Sequence, residues 1–374
     1  MKPNAPAKPN RYKWIDYARG IAIALVVYRH AFEGIKRAGF AIDHYMFLEY
    51  ANVFFFSFRM PLFFIVSGVF VAGSLYKRGL AKFFVNKCKV ILYPYFLWGT
   101  LQITLQLIFG SYLSSQRSIT HYFNLFYLPR EVDQFWYLYA LFNVSVLYAF
   151  IKVKLRFTHI HQLVLGLALY LISAFNTQHH IDLGFVNDIC HYYIFFALGD
   201  ALSNYIRSAK NETFFASWKL FYVLLPLFIA AQLYFLLVNM QHNSDKYVYV
   251  EYYQPFMYLL IALIGCALVM NISFMLQQRS AADWIRRMGF YSLYIYVCHV
   301  MVTSSTRIVL SKFLGIDNVV VLLAVCIVLG IIVPILLYTV AQKLNMAWLF
   351  KLGESEPKKT ADTITEKPVV STPV

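Results

Sequence analysis

A chain of 374 residues that is 60% hydrophobic, 18% aromatic and only 14% charged cannot fold as an ordinary water-soluble domain, in which about a quarter of residues carry charge. The formal charge of +15 would suit a nucleic-acid binder, but the lysines and arginines sit in short clusters between long apolar runs, which is how membrane topology is written. Five cysteines, single and widely spaced, give neither a metal-ligand spacing nor a disulfide framework.

The apolar runs are each about 20 residues long, the length of one bilayer crossing. In chain order they predict spans at 15–35, 50–74, 90–110, 134–151, 162–176, 188–206, 219–239, 255–276, 288–308 and 318–341. The first run is too long and too charged to be a cleaved leader and is read as a retained helix. The basic clusters, among them "YKRGLAKFFVNKCK", "KVKLR" and "QQRSAADWIRR", fall on the side that holds both termini, which puts both termini in the cytoplasm. The expected architecture is all-α: a polytopic transmembrane helix bundle of about ten spans. A cytoplasmic segment occupies 1–14, the transmembrane domain 15–350, and a polar, disordered cytoplasmic tail 351–374. The loop at 111–133 has room for a lid or an interfacial helix but not for a folded domain.

The first span, "DYARGIAIALVVYRHAFEGI", carries charge where charge is costly. Arg19 and His30 fall on one helical face, about 20° apart in angle and about 16 Å apart along the axis. Asp16 and Glu33 extend the same stripe at i, i+3 spacing. Arg29 points about 100° away. Polar groups on a membrane helix face the protein interior or a wet cavity, so the stripe is read as a cavity wall, with Ala22 small enough to admit a ligand. The plainer readings are an interfacial anchor for Arg19 and an interhelical hydrogen bond for His30. Co-facial placement with two carboxylates weighs against both. Farther along, "HH" at 179–180 has no carboxylate at metal spacing, and no metal site is expected.

"RGIAIALVVYRH" resembles the first-helix signature of the acyltransferase-3 family of integral-membrane acyltransferases. Four later stretches are similar to that family's motifs in the same order: "FRMPLFFIVSG", "KVILYPYFLW", "DQFWYLYALF" and "GFYSLYIYVCH". The last supplies a second histidine, His299. The family often carries an Arg-x-Arg pair before its third helix, whereas Lys87 and Lys89 stand here and meet phosphate as point charges rather than as forks.

The resemblance implies transfer of an acyl group, usually acetyl, from cytoplasmic acyl-CoA to a hydroxyl of an extracytoplasmic or lipid-linked glycan, at a bacterial cytoplasmic membrane. Acetyl-CoA is then a co-substrate, and no bound cofactor or nucleic acid is expected. On this reading Arg19, Lys87 and Lys89 bind the donor phosphates, with Asp16 pairing Arg19. His30 is general base or transient acyl carrier. Glu33 either orients its ring or is an exposed carboxylate where the helix leaves the bilayer, and His299 joins the site. Trp136 and Tyr137 are an acceptor platform or members of an interfacial aromatic belt. The competing reading is a polysaccharide transporter or flippase that uses the Asp16–Arg19–His30–Glu33 stripe as a proton or substrate path.

Overall fold

The structure, a computed structural model, describes residues 12–110, 117–242 and 247–353. Residues 1–11 and 354–374, which hold most of the predicted N-terminal segment and tail, lie outside the described residues, as do 111–116 of the predicted loop. The longer helices are, in chain order, α1 (Lys13–Arg37), α2 (Met46–Phe54), α3 (Arg59–Gly68), α4 (Val71–Lys87), α5 (Tyr93–Ile108), α6 (Trp136–Lys154), α7 (His159–Gln178), α8 (Phe185–Ala201), α9 (Trp218–Gln241), α10 (Pro255–Arg279), α11 (Asp283–Phe290), α12 (Ser292–Ile308) and α13 (Val319–Lys343).

Helices occupy every predicted span. Seven segments among the described residues are long and apolar enough to cross a membrane: Asp43–Gly68, Asp133–Lys154, His159–Gln178, Trp218–Gln241, Pro255–Arg279, Ser292–Phe313 and Val319–Lys343. The protein is an integral membrane helix bundle. Three expected spans fall outside that set for physical reasons. α1 has the length but carries the charged stripe, while α5 and α8 are short, at 16 and 17 residues. Much of α1 and of α8 is buried inside the bundle.

α1 is the axis of the fold, packed against α3, α10, α11, α12 and α13. Its first turn holds Asp16 and its last turn Lys36 and Arg37, so the charges complement the helix dipole. The helix stops where Gly39 takes a φ of 82° and its N–H closes onto the Lys36 carbonyl. Two glycines set the approach of α11. A Cβ on Gly20 would overlap the Ile285 carbonyl, and one on Gly289 would overlap the Asp16 carbonyl. The same device joins α3 to α8, where Gly68 lies against the Phe196 carbonyl and Gly199 against that of Ile65, as small residues do where membrane helices cross closely. Between α4 and α5 the chain makes one π turn, Cys88–Leu92, just ahead of Pro94.

The segment after residue 116 carries a short helix, His121–Asn124, keeps Ile119, Phe123, Phe126 and Tyr127 exposed, and is anchored to the bundle at a few points. The Tyr95 hydroxyl donates to the Leu125 carbonyl, Gln102 pairs with Gln134 and Asp133, and the Tyr296 hydroxyl donates to the Gln134 carbonyl.

Candidate active site

His30, on α1, and His299, on α12, come together: their ring centroids are 5.1 Å apart and tilted by 57°. His299 is fully buried. Its Nδ1 lies 3.0 Å from the Ile295 carbonyl and 2.8 Å from that of Tyr296. A carbonyl only accepts, so Nδ1 carries the hydrogen, and in the neutral ring Nε2 holds the lone pair. That Nε2 is buried without a hydrogen-bond partner. The helix thus fixes the tautomer and leaves a basic nitrogen buried without a partner, on a ring next to that of His30.

Around the pair stand cations that the sequence reading left aside. Arg59, on α3, is 2% exposed. It donates to the Leu25 carbonyl at 3.0 Å and to Asn52, and its guanidinium shares one face partner, the Phe56 ring, with Arg29 at 5.1 and 4.5 Å. Both guanidinium groups lie within electrostatic reach of His30. Glu33 accepts from the Asn52 amide at 3.0 Å, so Asn52 links it to Arg59. A signal for Arg59 was present in the sequence, since a charge inside the apolar run "FRMPLFFIVSG" marks an interior polar site.

The N-terminal end of α1 gathers the expected donor residues in part. Lys87 lies within reach of Arg19 and Arg78. Burial, with the two arginines adding, lowers its ammonium to about 8. Lys89 is exposed and points elsewhere, into a cavity of about 440 Å3 beside α4 with Arg78 and Lys82. The two lysines face apart because they are two positions apart on a helical turn. Asp16 is buried and lies within reach of Arg286.

The stripe is not an open wall in this state. Ala22 and Ile23 are 0% exposed and Val26 is 4%, while Arg19, His30 and Glu33 stay partly exposed. An aromatic column runs from near Arg19 to His299. Tyr137 is within reach of Arg19, the Tyr137 and Tyr296 rings lie 5.2 Å apart, and Tyr296 lies 5.8 Å from His299. Tyr137 is accordingly interior, 6% exposed, rather than part of an interfacial belt. Trp136 next to it has Arg130 over its ring at 4.4 Å and the Tyr192 ring at 5.5 Å.

A second buried histidine, His191 on α8, is 1% exposed. Its Nε2 lies 3.2 Å from the Glu251 carboxylate, and the rings of Tyr170, Tyr192, Tyr252 and Tyr258 enclose it at 4.7 to 5.7 Å.

Comparison with known proteins gives a family match and one distant relative. The family model described as an acyltransferase domain matches residues 12–339. The nodulation protein NolL of Mesorhizobium japonicum is 27% identical over 166 residues, 44% of this chain and 40% of that protein, so the match spans about two fifths of the curated relative's length. No solved structure matches.

Proposed function

The chain belongs to the acyltransferase-3 family of membrane acyltransferases, and from that premise we propose that it moves an acyl group, acetyl in the first instance, from cytoplasmic acyl-CoA to a hydroxyl of an extracytoplasmic or lipid-linked glycan. The observation that carries this reading is the meeting of His30 and His299, 269 positions apart in sequence, with His299 Nε2 buried and unpartnered. Transfer from a thioester to a hydroxyl needs a positioned base, and a buried imidazole of fixed tautomer supplies one.

The rest of the site follows the shape of the donor. Arg19 and Lys87 hold phosphate at the inner mouth, with Asp16 steadying that end of α1. Lys89, with Arg78 and Lys82, extends the positive field outside it. The acyl-pantetheine arm enters along the Tyr137–Tyr296 column, which must part to admit it. Arg29 and Arg59 favour the negative charge that forms on the carbonyl oxygen as it is attacked. Trp136 and Arg130 lie on the acceptor side, Arg130 swinging off the ring when sugar binds, and Glu33 acts through Asn52 and Arg59. In this reading the bundle has ten spans, with both termini in the cytoplasm of a bacterial cell and the protein in its inner membrane. The carrier alternative requires a connected acid–histidine path. Here Ala22, Ile23 and Val26 fill the face between Asp16 and His30, and Glu33 is engaged by Asn52.

The test is ester analysis of surface glycans from cells with and without the gene, joined to transfer of labelled acetyl from acetyl-CoA by membranes carrying the protein. Glycan esters that are unchanged by deletion, together with membranes inert toward acetyl-CoA, would sink this function.

A further inference from the structure

The two imidazoles of the site differ in surroundings, and the difference separates their roles. His299 has one nitrogen committed to its own helix and the other bare. A proton arriving at Nε2 puts positive charge on a ring whose Nδ1–H already points at two carbonyl dipoles. His30 has His299 as its ring neighbour at 5.1 Å and has Arg29 and Arg59 within electrostatic reach. The carboxylate one turn away, Glu33, is held by Asn52. Two guanidinium groups favour an oxyanion formed at His30. A base at that ring would instead set a third positive charge beside them.

We propose that His30 is the nucleophile and His299 its base, so that transfer runs through an acyl-His30 intermediate. This rests on the acyl-CoA reading above and commits it to a two-step route. In the first step a nitrogen of His30 attacks the thioester carbonyl. The N–C bond forms, the His30 proton passes to His299 Nε2, and collapse of the tetrahedral oxyanion breaks the C–S bond. His299 then returns its proton to the thiolate, and free CoA leaves as the thiol. In the second step the acceptor hydroxyl gives its proton to His299 Nε2 and attacks the acyl-imidazole. The N–C bond breaks as the ester forms, and the proton goes back to His30. Atoms and charge balance in each half, and no further reactant is needed.

The two halves make acyl-CoA chemistry possible without an acceptor, and that is the test. Purified full-length protein, in detergent or lipid discs, is mixed with acetyl-CoA and radiolabelled free CoA, and label entering acetyl-CoA is followed. The wild type is expected to exchange label and to retain a hydroxylamine-labile acetyl group on the protein. His30→Ala is expected to lose both. His299→Asn keeps a side-chain donor for the helix carbonyls but removes the basic nitrogen. It should still bind CoA in a direct titration while exchange falls by about 10²- to 10⁴-fold, the usual size of a general-base contribution. Acetylation of the glycan by wild type without any exchange would overturn the two-step route and leave the acyltransferase reading standing. So would a protein-bound acetyl group that survives in His30→Ala, or undiminished exchange in His299→Asn. Failure of the wild type to bind CoA at all would overturn both.

Discussion

His191 and His299 are equally hidden, at 1% and 0% exposure, yet their neighbours are of opposite kinds. His191 has a carboxylate at 3.2 Å and a cage of four tyrosine rings. The Asp188 carboxylate, on the same helix, binds Arg130 at 2.7 Å. His299 has backbone on one side and another imidazole on the other. Interior polar atoms without a hydrogen bond need an explanation, and His299 Nε2 shares that condition with both His191 nitrogens. What sets the first site apart is its second imidazole. On the proposed reading the His30–His299 pair is the reactive centre, and His191 with Glu251 ties α8 to the short helix Tyr249–Tyr253.

The largest expected effect separates the two clusters directly. His30→Ala should lower acyl transfer by at least about 10²-fold with the protein still eluting as a folded species, whereas His191→Gln should leave the rate within about threefold and lower the thermal midpoint instead. Equal losses of activity in both would erase the distinction. Next in size, Arg19→Ala should raise the KM for acyl-CoA by about tenfold with little change in kcat, the signature of a lost ground-state contact to phosphate. A fall in kcat alone would remove Arg19 from the donor mouth.

The third prediction uses the acid of the tie. Burial raises the Glu251 carboxyl from 4.5 to about 7, against the lowering influence of Arg130 and Arg29 and with Asp188 adding to the rise. Between those values the folded protein keeps a proton that the unfolded chain has released, so stability should decline as pH rises from about 4.5 to 7. Glu251→Gln should flatten that slope, by a few degrees of thermal midpoint, in melts recorded across the window. The smallest effect is at Lys87. With its ammonium lowered to about 8, donor affinity should fall as pH rises past that point, by about two- to threefold. Lys87→Arg, which stays charged, should move the decline above pH 10.

The co-facial arrangement of Arg19 and His30 was legible because helical geometry fixes it from spacing alone. The partnership of His30 with His299 entered through motif resemblance, and the fold places the two rings together. Arg59 and Asn52 were legible only as oddities: a charge and an amide in apolar surroundings, with nothing local to say that they meet Leu25 and Glu33. Lys87 and Lys89, two positions apart in the string, part company because the chain turns through about half a circle between them. The aromatic column from near Arg19 to His299 was not foreseen, since Tyr137 and Tyr296 come from helices whose contact no periodicity predicts.

What the sequence by itself determined is the solvent and the segments: apolar runs of one bilayer thickness, charge mostly confined to their ends, and a first helix that breaks that rule most strongly. These are properties of single helices, set by side-chain hydrophobicity and by the need to close every backbone hydrogen bond in lipid. Which imidazole has an acid beside it, which has a second imidazole, and whether the stripe opens onto space or onto rings were decided only in the tertiary structure. There the glycine contacts at Gly20, Gly289, Gly68 and Gly199 bring backbones together and fix, to within a side chain's length, which distant residues share a wall.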